Sequence, residues 1–234
     1  MHAKTTKKMK EILQFLRDLQ ANNNREWFEA NKERYKQVQG IWNGFCTQLL
    51  QEIGKWDADI AKLSLSQCTY RIYRDTRFSN NKSPYKTHFG VFLAPGGKKS
   101  MHAGYYFHIG TGEDGAYPHG HMLAAGNYCY DKETVKILRE DISYGWEEFR
   151  DSVLAVADPR FTISEMDALK KVPKGFDPDA PYADWMRQKA YCLAFNTDDS
   201  FILQPDLAQR VAEVFRTTKP FIDYVNRAVD YTII

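Results

Sequence analysis

Five basic side chains stand between Tyr70 and Phe89, in the run YRIYRDTRFSNNKSPYKTHF. They are Arg71, Arg74, Arg77, Lys82 and Lys86, set against a single acid, Asp75. This window takes five of the chain's 32 basic residues and one of its 30 acidic ones, leaving 27 against 29 elsewhere. Tyr70, Tyr73 and Tyr85 interleave with the charges. A guanidinium fork bonds two oxygens of a phosphate or carboxylate at once, and an ammonium adds a compact point charge. The composition is therefore that of an anion site, with Arg71, Arg74, Arg77, Lys82, Tyr85 and Lys86 as its candidate residues. Pro84 would stiffen the Ser79–Thr87 loop, and Tyr85 would offer a hydroxyl or a stacking face. The competing reading is structural: the arginines pair with protein carboxylates, Asp75 among them.

Weaker candidates lie elsewhere. Lys174-Gly175, in Pro173-Lys174-Gly175-Phe176, could turn backbone amides toward an anion. A turn with Gly175 at positive φ is the simpler expectation. His102, His108, His119 and His121 fall where a hairpin is expected. His119-Gly-His121 would put two imidazoles on one strand face, but no carboxylate follows at useful spacing, so no metal site is assigned. His108, within YYFHIG, could bond a ligand or carry a proton near neutral pH, with Tyr106 beside it. No G-x-S-x-G elbow is present. The residues name neither a reaction nor a cofactor.

These groups need elements to hold them. Met9, Ile12, Leu13, Leu16 and Leu19 recur at helical spacing and predict a helix over 8–21. Asn23 with Glu26 reads as a capping box. A long helix then carries Phe28, Tyr35, Val38, Trp42, Phe45, Leu49 and Ile53 on one stripe, with Gly40 and Gly44 free to bend it. Runs rich in Tyr, Phe, Val, Ile and Thr predict strands over 66–74, 88–94, 102–110 and 117–124. Thr111–Gly115 would form a hairpin loop. Helices return behind an Asp131 cap and over 145–156, with a weaker one over 161–171. A strand is expected at 191–195, and a C-terminal helix must kink or restart at Pro220. Helices, then strands, then helices indicate α+β architecture: a central, mainly antiparallel sheet flanked by N-terminal and C-terminal helices. No linker marks a boundary, so residues 1–234 are expected to form one domain.

Size and composition narrow the setting. The chain has 234 residues, 43 % hydrophobic and 26 % charged, with net charge +2 and an isoelectric point near 8.2. Such a length buries roughly 70 % of its unfolded surface and folds without staples. Cys46, Cys68, Cys129 and Cys192 are far apart and form no CxxC pair, as expected of a reducing compartment. No stretch approaches the about 18 apolar residues of a membrane span, and the basic N-terminus lacks the apolar run of a secretory signal. A soluble, cytoplasmic protein is expected.

The segments RIYRDTRFSNNKSPYKTHFG (71–90), Gly-Tyr-Tyr-x-His (104–108), KKVPKGFD (170–177) and FLRDLQANNNREWFEANK (15–32) occur in an order that resembles domain of unknown function 2461, a family of conserved hypothetical proteins. The resemblance spans nearly the whole chain. It implies a single intracellular domain and supplies no reaction. Asn81 stands where the family motif usually carries an acid before the lysine, so a role needing that carboxylate passes at most to an amide oxygen. The functional expectation is an anionic small molecule, phosphorylated or nucleotide-like, bound in a sheet-floored pocket. A nucleic-acid module, with tyrosines stacking bases, and an interaction protein with internally paired arginines are the alternatives.

Overall fold

The computed structural model describes residues 2–111, 120–164 and 167–233. Helix α1 (His2–Ala21) buries the expected stripe from Met9 to Leu19. The Asn22–Asn24 run ends it. Asn24, not Asn23, caps α2 (Arg25–Ala30), accepting from the Trp27 N–H at 2.9 Å. The single long helix expected here is two. Asn31 leaves helical geometry at φ −108°, and α3 (Lys32–Gly54) starts beyond it. Through α3 the apolar stripe from Tyr35 to Ile53 is buried. Burying each such side chain stabilises by about 1.5–3 kcal/mol, against about 1 kcal/mol that each of Gly40 and Gly44 costs, so the helix runs unbroken across both glycines.

A 3₁₀ turn (Ile60–Lys62) and the short α4 (Leu65–Cys68) lead into the basic segment. The expected strand over 66–74 is not formed. Its first half is helical, and its second half is extended chain with isolated bridges at Thr69 and Tyr73. Strands β1 (His88–Leu93), β2 (Gly104–Gly110) and β3 (His121–Asn127) follow. Most of the expected hairpin loop, and His119, lie outside the described residues. Helix α5 (Lys132–Tyr144) is capped by Asp131, which accepts from the Thr134 N–H at 2.8 Å. Next come α6 (Trp146–Glu148) with a π-helical turn (Phe149–Leu154), β4 (Thr162–Ile163), α7 (Ala183–Met186), β5 (Tyr191–Thr197), α8 (Asp199–Ile202), α9 (Leu207–Arg216) and α10 (Lys219–Ile233). Within the range 161–171, where a weak helix is expected, Thr162–Ile163 instead form a short edge strand paired to β5. Pro220 sits in the first turn of α10, where its missing N–H costs nothing, so the C-terminal helix restarts as expected.

The five strands are antiparallel in the order β1-β2-β3-β5-β4, and the fold is α+β. Alternation along β2 separates two faces. Tyr105, Phe107 and Ile109 enter the main core, where Trp42 and Phe45 of α3 pack on Phe107 and Phe215 of α9 packs on Tyr105. Tyr106 points to the other side, over a second small apolar cluster of Met122, Ala124, Cys192 and Ala194. Helices from both ends of the chain thus cover one face of the sheet, and the outer face is left to line a cavity. No described helix is long and apolar enough to cross a membrane.

Candidate anion-binding site

The basic segment is an irregular flap laid along the start of β1. Thr69 bridges Val91 and Tyr73 bridges Tyr85. Between them the Lys86 N–H donates to the Ile72 carbonyl at 2.8 Å, and the Arg74 N–H donates to the Pro84 carbonyl at 2.9 Å. Ile72 is buried and pins the flap to the core. Tyr85 is buried too, its ring stacked on Phe28 with centroids 3.9 Å apart. Tyr85 therefore anchors the flap and does not offer a stacking face to a ligand over the sheet. Asn81 accepts from the Ser83 N–H at 2.9 Å, so the amide serves as a local turn acceptor.

The six candidate residues divide. Arg77 is matched in two-point fashion to Asp75, Nε to Oδ1 at 3.0 Å and Nη2 to Oδ2 at 2.6 Å. Its guanidinium holds the Asp75 carboxyl down at about 2. Lys82 donates to the Thr76 carbonyl at 3.0 Å. Both are exposed loop residues held by short-range partners within the loop, Arg77 by Asp75 and Lys82 by the Thr76 carbonyl. Arg74 and Tyr85 line a cavity of 350 Å³ that also holds Arg25 and the carboxylate of Glu29. Arg71, Arg74 and Lys86 act on one another. Burial pushes the Lys86 ammonium below its usual pKa, and repulsion from Arg71 and then Arg74 pushes it further. No described carboxylate pairs with Arg71, Arg74 or Lys86. Among the described residues Lys86 forms no ion pair, although Asp75 feels the charge of Arg71.

Lys86 opens into a cavity of 510 Å³ over the outer face of the sheet. Its floor is Tyr106, Met122, Ala124 and Cys192. Gly90 faces the Tyr106 ring from the neighbouring strand, and a Cβ there would stand 2.9 Å from the Tyr106 hydroxyl. The final glycine of the basic motif is what lets that ring lie flat. Lys98 and Lys99 enter from the loop after β1, and Tyr70 and Tyr128 stand at the sides. Lys86 and Lys98 sit over the Tyr70 ring at 5.4 and 5.7 Å, close enough for cation–π attraction. Lys98 also donates to the carbonyls of Ser66 and Thr69, both at 2.6 Å, at the carboxyl end of α4. Among the described residues, three lysines line this cavity and no aspartate or glutamate does.

The remaining candidates lie apart. Gly175 has φ +100° in an exposed turn, and the Phe176 N–H closes on the Pro173 carbonyl, so Lys174 and Gly175 serve turn geometry. His108 is fully buried; its Nε2 meets the Gly120 carbonyl at 2.9 Å, and Nδ1 has no partner among the described residues. Burial, helped by His88, pushes its pKa down to about 3, out of the range where a neutral-pH proton carrier works. His121 is spoken for at both nitrogens, by the Gly110 N–H at 3.2 Å and Asp199 at 2.9 Å. No group of three metal-ligating side chains gathers among the described residues. Sequence reading missed Lys98, Lys99, Tyr128 and the Met122–Cys192 floor. The adjacent lysines after Ala94-Pro95-Gly96-Gly97 were the only available signal.

Sheet order and helix placement define an α+β protein whose outer sheet face carries a lysine-lined cavity. The chain belongs to the family of conserved hypothetical proteins DUF2461, whose sequence model matches residues 11–224. No curated protein and no solved structure matches it.

Proposed function

We propose that the outer-face cavity binds a small molecule bearing an anionic group, phosphorylated or nucleotide-like, with a flat or apolar body. One observation carries the reading: among the described residues, three lysines and no carboxylate line a cavity floored by Tyr106, Met122 and Cys192. An anion beside Lys86 gains on the order of 4 kcal/mol of Coulomb attraction at 4 Å in a partly buried setting, before desolvation is charged against it. Arg71 and Arg74 add to the field at Lys86 from behind. The aromatic sides suit a ring, which Tyr70 or Tyr106 would contact face-on. Buried residues from α1 to α10 join in one continuous cluster, which supports treating residues 1–234 as one domain.

A thermal-shift screen of the purified chain against phosphate, sulfate, nucleotides and sugar phosphates tests the reading. Ligand at about 100 times Kd stabilises by about 2.7 kcal/mol, a rise on the order of 5–10 °C for a chain this long. A melting temperature unmoved by every anion, at concentrations up to tens of millimolar, rejects it.

A further inference from the structure

Ser100, His102 and Asp230 form a hydrogen-bonded chain at the edge of the outer cavity, and the geometry points to a nucleophilic serine that cleaves an ester of an anionic molecule. This rests on the proposed anion site for its substrate class. Ser100 lines the cavity beside Lys99. Its Oγ lies 2.7 Å from His102 Nδ1, and His102 Nε2 lies 2.7 Å from Asp230 Oδ1. A carboxylate at Nε2 holds the ring proton there, which leaves the Nδ1 lone pair facing the serine hydroxyl. Ser100 Oγ also accepts from the His102 N–H at 3.1 Å. A hydroxyl has two lone pairs and one proton, so this turn bond fixes the oxygen without using the proton that Nδ1 would take.

The three residues are held from both sides. Asn226, one helical turn before Asp230 on α10, accepts from the Ala103 N–H at 2.7 Å and donates to the Ala103 carbonyl at 3.2 Å. Asn127, at the end of β3, donates to the carbonyls of Met101 and His102 at 3.3 and 3.2 Å. A turn that needed only a local cap would not require anchors from a strand and from the C-terminal helix. Asp230 is 66 % exposed, so water screens its charge, and it is a positioning residue.

In the step, Ser100 Oγ bonds to the ester carbonyl carbon and its proton passes to His102 Nδ1. The carbon–oxygen bond to the alcohol breaks, and the leaving alkoxide takes that proton. Water then attacks the acyl-serine, giving its proton to Nδ1 and later to Oγ, so the carboxylic acid leaves and the site is restored. The Lys99 ammonium stands on the same cavity wall, where negative charge on the ligand or the carbonyl oxygen is favoured.

The test treats the full chain with a fluorophosphonate and follows intact mass and peptide mapping. One adduct at Ser100 is expected. Ser100→Ala should abolish it, and His102→Gln should slow it by about 10²–10⁴-fold. Asp230→Asn should lower the maximal labelling rate while the half-saturating probe concentration stays fixed, a split that loss of structure would not give. Should His102→Gln fail to fold, Asp230→Asn at its exposed position carries the test. Absence of an adduct at Ser100, or labelling as fast in Asp230→Asn as in the native chain, overturns the inference. Labelling at Ser100 in a chain that no anion stabilises would sink the anion reading and leave the nucleophile. Stabilisation by phosphate with no Ser100 adduct would do the reverse.

Discussion

The side-chain amide of Asn23 closes both backbone groups of Tyr85, donating to its carbonyl at 3.0 Å and accepting from its N–H at 3.1 Å. An asparagine in the first interhelical loop thereby stands in for a neighbouring strand and fixes the point where the basic flap turns toward β1. Phe28, five residues on, stacks under the Tyr85 ring. The N-terminal helices and the basic motif are thus one construction, and Lys86 projects from its far side. Removing the amide should destabilise the chain by about 1–3 kcal/mol, since two backbone groups lose their partner. Asn23→Ala should lower the melting temperature by roughly 2–4 °C per kcal/mol. An unchanged melt would show that the flap is held elsewhere.

Tyr85 separates anchor from ligand contact. Its ring fills the core, so Tyr85→Ala should cost about 3–5 kcal/mol. Tyr85→Phe keeps the ring and should leave both the melt and any anion response nearly unchanged. Loss of anion binding in a stably folded Tyr85→Phe chain would return the hydroxyl to the site.

Lys86 and Arg77 differ sharply in what balances them, and substitution should follow that difference. Lys86→Ala removes a charge-assisted contact of about 1.5–3 kcal/mol and should weaken phosphate or nucleotide binding by about tenfold to hundredfold. Arg77→Ala breaks an exposed pair with Asp75 and should alter affinity by less than about twofold. Isothermal titration of the two variants decides the matter, and equal losses would show that the whole motif acts as a diffuse field.

Salt should distinguish a closed pocket from a nucleic-acid surface. Single-stranded nucleic acid loses affinity with a logarithmic slope of about −0.7 per phosphate neutralised. A monoanionic ligand at Lys86 should show a slope no steeper than about −1. A slope of −4 or beyond for oligonucleotides, with affinity exceeding that of mononucleotides, would favour the nucleic-acid alternative.

His108 gives the stability curve an acid limb. Its folded pKa is about 3 against an unfolded value near 6.5, so between these the unfolded chain holds a proton that the folded chain refuses. The stabilisation is full above about pH 6.5 and is lost as pH falls toward 3, with a total on the order of 4–5 kcal/mol. Denaturant unfolding across that range should show the decline, and His108→Gln should flatten its part of it. A chain equally stable at pH 4 and pH 7 would place His108 in contact with solvent.

What could be read from the letters was whatever short-range physics decides. Helical periodicity gave α1, the buried stripe of α3 and α5 with its Asp131 cap, and alternating aromatic runs gave β1, β2 and β5. Pro220 marked the restart of α10 because a proline lacks a donor wherever it stands. The excess charge of the 70–89 segment was equally plain, since composition needs no geometry. Neighbouring residues could not show that Asn24 rather than Asn23 would cap α2, because Asn23 is claimed by Tyr85, 62 positions away. They could not show that Arg77 would fold back on Asp75, or that Lys86 would meet Lys98 across the Tyr70 ring. Nor could they bring Asp230 to His102. Each of those outcomes depends on which distant groups compete for one hydrogen bond or one charge. Strand order and helix packing settle that competition, and only after the chain has closed.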